Sequence, residues 1–213
     1  MTPLRPQFVA AASIRRAGRA TGSRHCRLAK RLRPVTVIAL SLVAIASSIL
    51  VGWWVLAPPA SATANRSALT RGGLELTILT RVNAVRLQNG LAPLRRSSGL
   101  TAAARQHSTE MAARGYFGHS SADGSSFERR IARFYPMGRR RYWAVGENLL
   151  WSTSDVDAAG ALDTWLRSPE HRRNILMRRW RDFGLGAVHV VSASGVYGGR
   201  AVTIVTTDFG VRR

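Results

Sequence analysis

The chain has 213 residues, enough for one domain of ordinary size plus an appendage, and its 46% hydrophobic content supports a sizeable buried core. Cys26 is the only cysteine, which excludes an intramolecular disulfide and any fold stapled by one. The formal net charge of +21 is unevenly spread: residues 1 to 34 hold nine basic side chains and no acid, and residues 66 to 213 keep 23 basic against 11 acidic ones, or +12. A surface of this sign draws anionic lipid headgroups, acidic wall polymers and nucleic acid alike.

Residues 35 to 57 carry no charge over 23 positions. A spanning helix needs about 20 apolar residues at ~1.5 Å rise each, so the run is long enough for one transmembrane helix. Trp53 and Trp54 stand where a headgroup interface would hold them, and the basic tail before the run is expected to stay in the cytoplasm. Ala60-Ser61-Ala62-Thr63-Ala64 offers the other reading, a signal peptide cut near Ala64 and a secreted domain. Both readings export the remainder of the chain. The expected organisation is a basic cytoplasmic tail over 1–34, a signal anchor or signal peptide over 35–57, a weakly structured linker over 58–72, and an extracytoplasmic domain over 73–213.

Within that domain Leu74, Ile78, Val82 and Val85 keep helical spacing up to Asn89, where Gly90 stops the helix and Gly90-Leu91-Ala92-Pro93-Leu94 turns the chain. A second helix is expected from Ser98 to Arg114, with Leu100, Ala104, His107 and Met111 on one face and Gly115 as its end signal. His107 on that stripe reads as a core or boundary histidine rather than a ligand. A short third helix spans Ser126 to Phe134, and Arg139-Arg140-Arg141 reads as a solvated turn that an anionic partner could use. Val145 to Trp151 is extended. Asp155 is expected to cap a helix ending near Trp165 to Arg167, and Phe183 to Val191 with Ala201 to Phe209 form a hairpin. The order predicts an α+β domain with a helix-covered sheet.

Three spots set polar chemistry among apolar residues: Phe117-Gly118-His119-Ser120, Gly146-Glu147-Asn148, and Ser168-Pro169-Glu170-His171. Ser168 suits an N-cap, Pro169 the first helical position, and Glu170 the positive end of the helix dipole. Two imidazoles and one carboxylate are a competent set for zinc, with a fourth position left for water. The three are scattered singly, however, with no paired histidines on one helix to preorganise them. Ser120 and Ser168 lack the turn that activates a nucleophilic serine. Aromatic residues are not interleaved with the arginines as a nucleic-acid stacking surface requires, which disfavours that partner.

Asn83-Ala84-Val85-Arg86, Gly90-Leu91-Ala92-Pro93-Leu94, Phe117-Gly118-His119, Gly146-Glu147-Asn148, the run from Trp165 to Leu176, and Gly184-Leu185-Gly186, in this order, resemble the CAP superfamily in its bacterial SCP-like branch, over roughly residues 75 to 210. The resemblance implies an α-β-α sandwich and a cleft lined by two histidines and two acids that in some members holds a divalent metal. His119, His171 and Glu147 match three of these; where animal and plant members carry the fourth acid, this chain has Ser168, with Glu170 nearby. The implied function is a binding module for a cell-envelope component or lipid, lined by His119, Glu147, His171, Ser168 and Glu170. The alternative is a hydrolase holding zinc through His119, His171 and Glu147.

Overall fold

The computed structural model describes residues 10–11, 60–153 and 156–213, with side chains from Gly73 onward. The expected span at 35–57, Cys26 and the expected cap Asp155 lie outside the described residues. No helix among the described residues is long and apolar enough to cross a membrane.

Helix α1 runs Ala60–Gln88, longer than its apolar spacing predicts and reaching back into the stretch read as a linker. Ile78, Leu79 and Val82 bury one face of it. It ends where Gly90 takes φ 67° and Leu91 N–H reaches back to Arg86 O at 2.9 Å, the closure that a left-handed glycine permits. The Asn83 side chain grips both backbone groups of Leu94, donating to its carbonyl at 3.0 Å and accepting from its N–H at 2.8 Å. Arg86, fully buried, donates to Ala92 O at 3.0 Å and Ile175 O at 2.6 Å. The Asn83 and Arg86 positions thus hold the turn at Gly90 against the end of a helix 89 residues away.

Helix α2 (Ser98–Arg114) is capped by Ser97, whose hydroxyl accepts from Leu100 N–H, and closed by Gly115 at φ 68°. Helix α3 covers Phe127–Phe134, α4 Ala158–Arg167 and α5 Pro169–Ile175. The cap of α4 is Asp157, which accepts from Gly160 N–H at 2.7 Å. Ser168 precedes α5 as expected, but its hydroxyl makes no capping bond.

The strands are β1 (Ala10–Ala11), β2 (Arg95–Arg96), β3 (Trp143–Ser152), β4 (Asp182–Ala193) and β5 (Arg200–Arg212), ordered β1-β3-β5-β4-β2. Pairing is antiparallel except for β2 with β4. Side chains alternate between faces along each strand. Val145, Leu149 and Trp151 of β3 face α2 and α3, while Ala144 and Leu150 join Val205, Phe209, Trp165 and Trp180 in the larger core under α1, α4 and α5. Helices therefore cover both faces, giving the expected three layers.

Glycines set the spacing of those layers. A Cβ at Gly184 would lie 2.2 Å from the backbone of Leu100 and Thr101, and one at Gly186 2.3 Å from Arg105. Only a bare backbone lets α2 lie this close on β4.

Candidate functional site

Beyond Gly115 the chain leaves α2 through Tyr116 and Phe117, and His107 pins the next stretch. Its Nε2 lies 2.8 Å from Gly118 O; a carbonyl only accepts, so Nε2 carries the proton. Burial drives the His107 pKa down to about 4, keeping the ring neutral at ordinary pH despite the nearby Glu147. The expected core histidine is thus a buried strut that positions the loop before His119.

His119 Nδ1 lies 2.7 Å from Glu147 Oε1, and a carboxylate only accepts, so Nδ1 donates. Glu147 is fully buried on β3, in the seam between the two apolar clusters beneath α2 and α3. Its second oxygen accepts from Arg130 of α3, which is itself buried. Arg130 also donates to His119 O at 3.0 Å and Ser121 Oγ at 3.1 Å, so one guanidinium ties α3, the histidine loop and β3 together. Burial pushes the Glu147 carboxyl upward, but the Arg130 charge and the His119 bond outweigh it and hold Glu147 below the usual carboxylate range.

Asp208 stands opposite Glu147 in the β3–β5 ladder and is also fully buried. Burial first and the Glu147 charge second push its carboxyl well above the ordinary range. The pair therefore divides its roles: Arg130 favours the ionised form of Glu147, and burial beside that charge favours the protonated form of Asp208.

With His119 Nδ1 donating to Glu147, Nε2 is the ring's other nitrogen and its remaining site for a hydrogen bond. It is buried and has no hydrogen-bond partner among the described residues, while the side chain as a whole is 11% exposed. This is the orienting half of a general-base arrangement, imidazole held by carboxylate.

His171 is buried at the start of α5, and its carbonyl accepts from Asn148 Nδ2 at 3.2 Å. Asn174, one turn on, donates to Glu147 O at 3.1 Å and Asn148 Oδ1 at 3.0 Å, and accepts from the Trp180 indole through its own Oδ1 at 3.1 Å. A Cβ at Gly146 would meet Asn174 Oδ1 at 2.6 Å. The Gly146-Glu147-Asn148 and His171-to-Asn174 motifs are therefore two halves of one lock, Gly146 for clearance and Asn174 for bonding. Glu170 is exposed and Ser168 half-buried.

The structure thus joins His119 to Glu147 directly and ties α5 to Glu147 and Asn148 through the side chains of Asn148 and Asn174. It does not assemble His119, Glu147 and His171 into a coordination set: among the described residues no group of three or more His, Cys, Asp or Glu side chains is disposed to hold a metal. The donor chemistry gives the reason, since both Glu147 oxygens are engaged and a buried arginine already supplies the cation a metal would bring. Zinc does not fit this trio as it stands.

Arg130 and Asp208 are absent from the sequence reading, though each left a signal. Arg130 falls on the apolar face of α3 with Phe127 and Ile131, and Asp208 lies in a β-branched run on a strand buried along most of its length. A charge in either setting requires a partner.

Known proteins share this architecture. The chain is 30% identical over 112 residues to the "Uncharacterized membrane protein YlbC" of Bacillus subtilis (strain 168), covering 53% of this chain and 31% of that protein. It is 31% identical over 129 residues to "Uncharacterized protein YkwD" of the same organism, covering 60% of this chain and 46% of that one. A 1.5 Å crystal structure of an extracellular protein containing an SCP domain from Bacillus anthracis str. Ames superposes with a TM-score of 0.51 at 25% identity, over 67% of this chain and 41% of that one. The chain thus spans less than half the length of these relatives. The model of the cysteine-rich secretory protein family matches residues 79–207, a span that takes in His119, Arg130, Glu147 and His171. That span is more than half of the sequence, and the chain belongs to the cysteine-rich secretory protein (CAP) family.

Proposed function

We propose that this chain is an exported CAP-domain binding module, and that the His119–Glu147 corner receives a hydroxyl- or amide-bearing part of a cell-envelope component or lipid. The observation that carries this reading is an unengaged acceptor beside the Glu147–Arg130 pair: His119 Nε2 has no hydrogen-bond partner among the described residues. The uncharged run at 35–57, the SCP-domain relative described as extracellular and the relative named as a membrane protein support export.

The topology has its own discriminator. Pairing of Ala10–Ala11 with Asn148 and Glu147 puts both on one side of any bilayer, whereas a span at 35–57 separates them. Insertion would free that edge of β3.

His119→Ala in the full chain tests the site. It is expected to lower retention of the protein on envelope fractions about tenfold, the worth of a hydrogen bond to a polar ligand, with the fold kept but the unfolding midpoint lowered, since buried Glu147 loses one of its donors. Unchanged retention would sink the reading. The second reading, hydrolysis, draws on the same imidazole–carboxylate orientation, and a turnover by the unmodified chain that His119→Ala abolishes with the fold intact would favour it.

A further inference from the structure

Sheet topology gathers arginines that are far apart in sequence. Strands β2, β3 and β4 begin, and β5 ends, at the same end of the sheet. Arg95, Arg141, Arg181, Arg212 and Arg213 fall at or beside those strand ends, and Asp182 there is already taken by Arg95 at 3.1 Å and the Tyr135 hydroxyl at 2.6 Å. A pocket of about 320 Å³ opens at this end, lined by Gly90, Leu91, Ala92, Arg178, Arg179 and Arg181, with no acidic residue in its wall.

Two observations make this more than a solvated charge run. The wall residue Ala92 accepts from buried Arg86, whose Nη2 is buried without a hydrogen-bond partner among the described residues. The pocket arginines are also positioned by the protein. Arg181 Nη1 donates to the carbonyls of Arg178 and Trp180, both at 2.8 Å, and Arg179 Nη1 reaches the Tyr142 hydroxyl at 3.2 Å. Arg213 lies over the Tyr142 ring at 4.8 Å, and its carbonyl accepts from Arg141 N–H. A guanidinium carries five N–H donors in a rigid fork, so each keeps donors for a ligand.

We propose that this pocket binds a phosphate ester. Arg178, Arg179 and Arg181 hold the anionic oxygens, and the esterified group lies over Leu91 and Ala92. The site is separate from the His119 corner and stands independently of it.

The test is calorimetric titration of the full chain with glycerol 3-phosphate. It compares the double variant R178Q/R181Q with R114Q/R129Q, which removes two exposed charges elsewhere and has the same net charge. The expected result is binding weakened at least about tenfold in R178Q/R181Q, the worth of lost charge-assisted bonds, and unchanged in R114Q/R129Q. Equal weakening in both, or no binding by the unmodified chain, would overturn the proposal. Should R178Q/R181Q fail to fold, exposed Arg178→Gln alone takes its place. Displacement by soluble poly(glycerol phosphate) assigns the ester to a polymer, displacement by phosphatidylglycerol vesicles assigns it to a headgroup, and displacement by neither overturns the assignment to an envelope phosphate.

Discussion

A carboxylate withdrawn from water beside a second carboxylate stays ionised only if a cation is fixed against it, and at Glu147 that cation is Arg130. Arg130→Met should therefore cost about 3–5 kcal/mol in urea unfolding, because it leaves a buried charge alone. Combined with Glu147→Gln, most of the loss should return, since a neutral pair no longer needs the ion bond. A single-variant loss below about 1 kcal/mol would refute the arrangement. At this scale His119 and Glu147 are legible as polar residues amid apolar ones. Their joint partner is not, because nothing in the sequence states that position 130 of a helix will face position 147 of a strand. Asp208 is harder still: its pairing with Glu147 exists only once β3 and β5 have taken their register.

Helix α2 is held on β4 by absence of side chain, and its seat can be tested by adding one. Gly186→Ala places a methyl 2.3 Å from the Arg105 backbone, which must lift the helix; a loss of about 1–3 kcal/mol or more is expected by thermal or urea unfolding. Gly118→Ala has open space and should stay within about 0.5 kcal/mol. Equal effects would mean that α2 is not seated as described. The periodic elements were legible, α2 at both ends. Three features were not, each for a physical reason. The stretch over 58–72 reads as a linker, yet α1 starts within it at Ala60. Two-residue β2 is too short to carry any alternation. The expected cap Asp155 gives way to Asp157, because the helix register puts the Asp157 oxygen on Gly160 N–H.

For the molecule as a whole, two buried groups shape stability against pH from opposite sides. His107 has its pKa depressed from 6.5 to about 4. Below pH 6.5 the unfolded chain gains a proton that the folded one refuses, so stability falls as pH drops through that window, by on the order of 3 kcal/mol. Asp208 has its pKa raised, so the stability it gives in acid is lost as pH rises through the raised value. His107→Gln should flatten the acid side of a pH series of urea midpoints, and Asp208→Asn should raise stability at neutral pH and above. Profiles that match the unmodified chain would place both groups in ordinary solvent. The family and the layered fold were legible as an order of motifs; the gathering of arginines at one end of the sheet was not, since it depends on which strand ends coincide.

Helix α1 is also a measure of length. At 1.5 Å per residue its 29 residues make a rod of about 43 Å, and its far end, after Gly90, borders the arginine pocket. Anything joined before Ala60 meets the rod at the opposite end. Electrostatic influence fades over ~8 Å at physiological ionic strength, so charges at the attachment point and a ligand at Arg178 and Arg181 do not sense one another. A chain tethered at its N-terminal side would fish for anions several screening lengths from its mooring, free of competition from the surface that holds it.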